Sequence, residues 1–355
     1  MRQTLSVDYI IVGQGLAGSA LAVHLMKMNK KFVIIDGPTP NSATRVAAGL
    51  FNPVTGKNLV KTWLADKIFP YLHTFYPEVE KMTGKKLFYS MPLYRPFVTV
   101  EEQNEWMGRS TDETYKDIID KVITKPHFTG VHDPLGGLLL KQCGFVDTQA
   151  FLEGVRNEVS LRNGILDVTF NHQNLVIRDN LVCYDHIEAP YIIFCEGVNV
   201  SANPWFDRLP IRSLKGETLT VRCFLEENNF ILNRGVYLVP IEDENVYRVG
   251  ATYNLQDKTP TVTMAGKFEL EEKLNELVAA PYEITGQAWG FRPTTVDRRP
   301  IMGKHPYYKS LVIFNGLGTK GISLAPYFSQ HLIQCLENAT PLYKEVDVAR
   351  YKLLY

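Results

Sequence analysis

The sequence predicts an α/β protein in which a discontinuous Rossmann-like dinucleotide-binding domain carries an inserted antiparallel-sheet α+β domain. Three observations lead there. A glycine-rich turn joins the first apolar strand to a helix, two later apolar strands run into glycines, and long alternating β segments lie between those strands.

The first turn is the most informative stretch. Val7-Asp8-Tyr9-Ile10-Ile11-Val12 runs into Gly13-Gln14-Gly15-Leu16-Ala17-Gly18, and Phe32-Val33-Ile34-Ile35 ends in Asp36. Gly13 permits the tight turn, Gly15 lets backbone N–H groups approach a pyrophosphate, and Gly18 lets the helix lie against the sheet. The helix N-terminus then faces the anion. Asp36 lies ~20 residues on, where a carboxylate accepts hydrogen bonds from ribose hydroxyls and repels a 2′-phosphate, which disfavours NADP. Leu21, Leu25 and Met28 continue the helix's apolar face. An apolar run holding Asp8 and spaced glycines does not read as a secretory leader.

Residues 62–82 read as one or two helices broken at Pro70 and Pro77, and residues 88–100, with Pro92 and Pro96, as an edge strand pair. Asp147 is set to cap a helix carrying Phe151, Leu152, Val155 and Val159, which ends near Gly164 before a strand at 166–170. Tyr191-Ile192-Ile193-Phe194-Cys195-Glu196-Gly197 is a buried strand ending in glycine. Then come β segments at 217–224, 236–241 and 246–253 and a helix around 268–278. Leu311-Val312-Ile313-Phe314 runs into Asn315-Gly316-Leu317-Gly318-Thr319-Lys320-Gly321 and a helix over 322–336. The expected division puts 1–85, 145–215 and 285–355 in the dinucleotide-binding domain and 86–144 and 216–284 in a substrate domain.

Composition narrows the function classes. At 355 residues the chain can hold two domains sharing a large core. Lys+Arg and Asp+Glu both count 38, so no overall basic field speaks for a nucleic-acid partner. Five scattered cysteines without C-x-x-C spacing fit a reduced, cytoplasmic setting. No uninterrupted apolar run approaches the ~20 residues of a bilayer span. The histidines show no metal-ligand spacing, and there is no P-loop or nucleophile elbow.

Several motifs stand in a recognisable order. After the turn and Asp36 come Thr44-Arg45-Val46-Ala47-Ala48-Gly49-Leu50, Gly144-Phe145-Val146-Asp147, Leu214-Lys215-Gly216-Glu217 and Val249-Gly250-Ala251-Thr252. Gly290-Phe291-Arg292-Pro293-Thr294-Thr295-Val296-Asp297-Arg298-Arg299-Pro300-Ile301-Met302-Gly303 and residues 316–326 follow. In these the chain resembles the D-amino-acid oxidase superfamily of FAD enzymes, nearest to its glycine oxidase and sarcosine oxidase branch.

The resemblance implies FAD rather than NAD, roofed by the inserted sheet. It implies cofactor contacts from Gly13, Gly15, Leu16, Ala17, Gly18, Asp36, Arg45, Ala48, Gly49, Val168, Gly197, Gly316, Gly318, Thr319, Lys320, Gly321 and Ile322. No cysteine lies in 281–305, where sarcosine-type relatives tether the flavin, so the FAD is expected to be non-covalent. The 316–321 turn is also a second cluster of free N–H groups at a positive helix end, suited to the negative charge of a reduced flavin.

For catalysis the resemblance points to Arg292, Tyr237 and Lys320. Arg292 matches the arginine that grips the substrate carboxylate, a task for a planar, permanently charged fork. A structural arginine paired with Asp297 or Glu217 is the alternative. Tyr237 matches a tyrosine that lines the substrate pocket, with a core tyrosine as the alternative. Lys320 matches a lysine of sarcosine-type relatives, whereas glycine oxidase-like members place an arginine one residue earlier, at Thr319 here. Arg298 and Arg299 read as a solvated or salt-bridged pair.

The implied activity is oxidation of a C–N bond in a small amine or amino acid of glycine, sarcosine or D-amino-acid type, by hydride transfer to the flavin. The product is an imine, with O₂ or another molecule as electron acceptor and hydrogen peroxide where O₂ serves. One competing reading is a tRNA-modifying oxidoreductase acting on a carboxymethylamino group, hinted by Asn52-Pro53; it requires a basic face, for which Lys27, Lys30, Lys31, Lys57 and Lys61 are the candidates, against plain solvated surface as the alternative. Another is a flavin-binding member without catalysis.

Overall fold

The structure is a computed structural model that describes residues 4–39, 41–56, 59–179, 181–227, 229–241 and 245–355. The apolar runs become the strands Tyr9–Val12, Phe32–Ile35, Tyr191–Phe194 and Leu311–Asn315, buried almost throughout as expected for strands covered on both faces. They form a six-stranded sheet in the order Ile165–Leu166, Phe32–Ile35, Tyr9–Val12, Tyr191–Phe194, Leu311–Asn315, Ile301–Lys304. All neighbours are parallel except the last pair.

Period-two alternation decides which layer each side chain joins. Tyr9, Ile11, Ile34, Ile193, Val312 and Phe314 pack under the helices Leu16–Lys27, Ala65–Thr83, Thr148–Ser160 and Gly321–Asn338. Ile10, Val12, Val33, Ile35, Ile192, Phe194 and Ile313 face the other way. There they meet Leu175, Val182, Tyr184 and Ile187 of a small four-stranded sheet. This layering aims the Gly13–Gly18 turn at one end of the sheet.

An eight-stranded sheet forms the second body, ordered Tyr282–Thr295, Ile211–Cys223, Val246–Gly250, Val236–Pro240, Ile231–Arg234, Leu93–Pro96, Gly137–Leu140, Ile119–Ile123. Leu219, Val221, Leu232, Leu238 and Val249 on one face pack beneath the helix Met264–Leu277. The opposite face carries Gly216, Thr218, Tyr237 and Gly290 toward the first body.

Several expectations are corrected. The helix Ala65–Thr83 runs through both Pro70 and Pro77. Its buried row of Ile68, Phe69, Leu72, Phe75, Tyr76 and Val79 holds the axis, and Pro70 is exposed, so the carbonyls freed by the missing N–H groups are tolerated. Phe88–Ser90 and Leu93–Pro96 do not pair with each other. The first joins Gly144–Val146 in a three-stranded sheet, and the second is an interior strand of the large one. The large-sheet strands Ile211–Cys223 and Tyr282–Thr295 pair from Ile211↔Thr295 to Cys223↔Tyr282 with one register shift between Thr220 and Val221, so the expected boundaries at 215/216 and 284/285 fall inside them. Among the described residues no helix is long and apolar enough to cross a membrane.

Asp147 caps the Thr148–Ser160 helix as its position in the sequence indicates, its Oδ1 accepting from the Gln149 and Ala150 amides at 2.9 Å each. Asp147→Ala should therefore cost about 1 kcal/mol of stability. Urea unfolding read by circular dichroism measures it, and an unchanged midpoint would show that the cap is dispensable.

Candidate active site

Two glycine turns converge. Gly13 takes φ +96°, and a Cβ at Gly18 would stand 2.0 Å from the Gly13 carbonyl oxygen, so the helix can seat on the sheet only with glycine there. Gly15 lacks a side-chain cap, and no acidic residue occupies the helix's first turn. Thr44 Oγ1 accepts from the Leu16 amide at 3.2 Å, leaving the Ala17 and Gly18 N–H groups for an external anion.

Asp36 closes the other side of this cradle. Its Oδ1 accepts from the Gln14 amide at 2.9 Å, and its Oδ2 is 3.7 Å from Arg156, which is also ion-paired to Asp167. An ionised carboxylate has about four acceptor positions, so capacity for ribose hydroxyls remains. Val168 is exposed just beyond Leu166, whose carbonyl accepts from the Asp36 amide at 3.1 Å.

The second turn meets the first. A Cβ at Gly321 would lie 2.7 Å from the Leu16 side chain, so the N-termini of the Leu16–Lys27 and Gly321–Asn338 helices are neighbours and their dipoles add. No side chain caps the second helix either, which leaves the Gly321 and Ile322 amides open. Gly316 and Gly318 have φ of +73° and +56°, and the Gly318 amide donates to the Pro293 carbonyl at 2.9 Å, tying this turn to the residue after Arg292. Thr319 is exposed. Gly197 sits beside the turn, its carbonyl accepting from Asn315 Nδ2 at 2.8 Å.

Lys320 points elsewhere. Its ammonium donates to Thr62 Oγ1 at 3.0 Å and Thr55 Oγ1 at 3.3 Å, and it does not line the cavity described next. Burial, with Arg299 and Arg298 adding repulsion, pulls its pKa down to about 8. Arg299 lies over the Trp63 ring at 4.3 Å and has no acid partner among the described residues, while Arg298 is exposed.

Arg292 and Tyr237 come together. Ala43, Val46 and Ala47 face Gly216, Thr218, Tyr237, Gly290 and Arg292 across a small cavity between the two bodies. A Cβ at Gly216 would stand 2.1 Å from Arg292 Nη1, and one at Gly250 would stand 2.6 Å from the Tyr237 hydroxyl. The guanidinium donates to the Thr252 carbonyl at 3.3 Å and lies over the Tyr253 ring at 5.1 Å.

The alternative partners of Arg292 are occupied. Glu217 accepts from Thr263 and Gln287 and stands 3.6 Å from Lys215, and Asp297 pairs with Arg350. Among the described residues Arg292 has no carboxylate within ion-pairing distance. Burial pushes the Tyr237 phenol up to about 12 against the opposing pull of Arg292 and Arg248, so it stays protonated and able to donate.

Arg248 was missed by reasoning from sequence. Its Nη1 donates to the Val46 carbonyl at 3.3 Å, its Nε is buried without a partner, and burial lowers its pKa. The signal was a cation inside Val246-Tyr247-Arg248-Val249-Gly250, at the alternation position opposite Tyr247 and Val249, which face the Met264–Leu277 helix. Arg248 and Arg45 line an open groove beside the cavity, and Ala48 and Gly49 are buried at the end of the same segment.

Residues 8–334 match the DAO family, described as FAD dependent oxidoreductase. The chain belongs to this family. It is 24% identical to the bifunctional protein ThiO/ThiG of Trichormus variabilis, over 97% of this chain and 55% of that protein. It is 21% identical to the tRNA 5-methylaminomethyl-2-thiouridine biosynthesis bifunctional protein MnmC of Legionella pneumophila, over 97% of this chain and 55% of that one. The chain spans about half the length of these curated relatives. Its fold is like that of glycine oxidase from Geobacillus kaustophilus, with a TM-score of 0.76, 20% identity and 99% of each chain covered.

The residues of this FAD-dependent oxidoreductase fit their cofactor. Two uncapped helix N-termini that lie side by side would offer donors to a pyrophosphate and a flavin edge, and Asp36 would offer an acceptor to a ribose. Among the described residues no cluster of metal-ligating side chains competes for the site. Gly15→Val should purify with less than a tenth of the wild-type flavin while keeping its circular dichroism, since a Cβ at Gly15 meets only Thr44 Oγ1, at an ordinary contact distance of 3.5 Å, and the space lost is the anion's. Full flavin content in that variant would move the cradle elsewhere.

Lys320 yields a pH prediction. Its pKa is 10.5 ordinarily and about 8 when folded, so between those values the unfolded chain binds the extra proton and stability rises with pH. Below pH 8 the full cost is present. Lys320→Met should therefore exceed the wild type in stability by up to about 3 kcal/mol at pH 7, with the gap closing toward pH 10. A gap independent of pH in urea unfolding would assign the effect to packing.

Proposed function

We propose that this chain oxidises the C–N bond of a small amine or amino acid that carries a carboxylate, glycine-, sarcosine- or D-amino-acid-like, giving an imine that water hydrolyses. The observation that carries the reading is Arg292, unpaired by any carboxylate of the described residues and directed beside Tyr237 into the cavity. Bound non-covalently in the cradle, FAD would supply the two-electron acceptor, taking a hydride equivalent from the carbon next to nitrogen and, with O₂ as final acceptor, giving hydrogen peroxide.

The protein's own part is binding and charge. Arg292 would take the carboxylate through its fork, and the protonated Tyr237 phenol would donate a further hydrogen bond to it, fixing which C–H bond faces the flavin. The Arg292 and Arg248 charges near that point disfavour a bound ammonium, so the amine would bind neutral with its lone pair free. Among the described residues no carboxylate or histidine lines the cavity, and a neutral amine needs no such base.

The similarity to MnmC over 97% of the chain supports a second reading, an RNA-borne carboxymethylamine. Three of the surface lysines expected to serve it are engaged, Lys27 with Glu78, Lys30 with Glu337 and Lys61 with Asp66, while Lys31 is exposed without a side-chain partner among the described residues. Lys57 lies outside the described residues. Free amines are therefore the preferred substrates here.

The test is anaerobic titration with glycine, sarcosine and D- and L-amino acids while following flavin absorbance near ~450 nm. Bleaching by one class identifies the substrate, and no bleaching by any of them sinks the reading. In the same assay Arg292→Met should lower kcat/KM by about 10²–10⁴-fold, the equivalent of about 3–5 kcal/mol for two charge-assisted hydrogen bonds. Unchanged turnover in that variant would remove the carboxylate anchor.

A further inference from the structure

The groove beside the cavity holds two cations, Arg45 and Arg248, to which the proposed reaction gives no contact with the substrate. Arg45 has neither an ion pair nor a side-chain hydrogen bond among the described residues, and Arg248 gives one long bond to the Val46 carbonyl while its Nε is buried unpaired. Asp147 is the acid that acts on Arg248 electrostatically, but its Oδ1 already accepts from two helix amides. Gln149 and Asn41 line the same groove and add amide donors. Val46 borders both the groove and the Arg292 cavity, so the two are contiguous.

Strand register sets the spacing. Arg248 pairs with Thr220, and Thr220 pairs with Gly286, whereas Arg292 sits six residues further along the same strand. At ~3.4 Å per residue the two arginine backbones are about 20 Å apart along the sheet. Gly290 and Ala288 lie between on the same face, and Tyr237 stands opposite Gly250 in the Ala288 row. The Arg292 side chain folds back over Gly216 toward Arg248, shortening the gap between the charged ends.

We propose that the groove is a second anion subsite, built for a substrate whose amine nitrogen bears a chain that leaves the cavity past Tyr237 and ends in a carboxylate or phosphate held by Arg248 and Arg45. The proposal rests on Arg292 holding the substrate's first carboxylate. It makes Arg248 a residue of specificity, since short neutral N-substituents would leave two half-buried guanidinium groups unsatisfied. The preferred substrates are therefore N-substituted glycines with a remote negative charge.

The experiment uses the FAD-loaded protein and three series of N-substituted glycines of graded spacer length: ω-carboxyalkyl, ω-phosphonoalkyl and neutral N-alkyl. Dissociation constants come from perturbation of the flavin spectrum under anaerobic conditions, and bleaching rates are recorded in parallel. The anionic series should bind at least about tenfold more tightly than the neutral one, with the advantage appearing only at the longer spacers. The larger of the carboxylate and phosphonate ratios identifies the group.

Arg248→Met should bring the ratio to near one, Arg248→Lys should restore part of it, and Arg45→Met, on a short helix outside the sheet, should lower it should Arg248→Met fail to fold. Equal binding of charged and neutral series at every length in the wild type, or an unaltered ratio in the variants, overturns the subsite. Anion-dependent binding without bleaching by any member would support the subsite and sink amine oxidation. Bleaching by all members without anion dependence would do the reverse.

Discussion

Pairing Gly216 with Gly290 along the ladder between Ile211–Cys223 and Tyr282–Thr295 removes the Cβ atoms from one spot on the large sheet, and the Arg292 guanidinium occupies part of that space. The rest of the site follows from this pairing. A one-residue slip would turn Thr218 and Arg292 to the opposite face and carry Leu219 and Val221 out of the core beneath the Met264–Leu277 helix. The register that buries one face therefore also arms the other. Gly250 repeats the device two strands in, where the Tyr237 hydroxyl lies over a missing side chain.

Charge is handled in two ways in this sheet. Lys215, buried beside Gly216, has Asp257 at 2.7 Å and Glu217 at 3.6 Å, and its hydrogen bond holds the Asp257 carboxyl down to about 2. Arg234 is neutralised by Glu102 at 2.7 Å. Arg292, Arg248 and Arg45 share the neighbourhood without any such partner among the described residues. A buried guanidinium is costly unless something compensates it, which is the physical basis for proposing that a ligand's charge meets them there.

How much of this was legible in the sequence depended on how local the cause was. The first turn, Asp36 and the Asp147 cap each depend on a few adjacent residues, and each was readable from spacing alone. Leu93–Pro96 was misjudged because its prolines look like edge residues, whereas its interior place depends on pairing with Ile231–Arg234, more than a hundred residues on. The helix Ala65–Thr83 survives its prolines through packing against distant helices, which no window of sequence contains. Arg292 was marked as a candidate by the resemblance carried in the run Gly290-Phe291-Arg292-Pro293, while Arg248 sat in an apolar strand whose faces were not assigned until the sheet order was known.

The six-stranded sheet has a temporal consequence. Tyr9–Val12 is hydrogen-bonded to Tyr191–Phe194, about 180 residues later in the chain, which in turn pairs with Leu311–Asn315. During translation the first glycine turn therefore leaves the ribosome long before the sheet that supports it can close. Such long-range pairing is slow to form and leaves apolar strands uncovered in the interval. If the second helix terminus holds part of the cofactor as proposed, capture would wait for residues 311–321 as well. The order of synthesis thus makes loading a late event, and a nascent chain stalled before that point would be a client for chaperones instead of a flavoprotein.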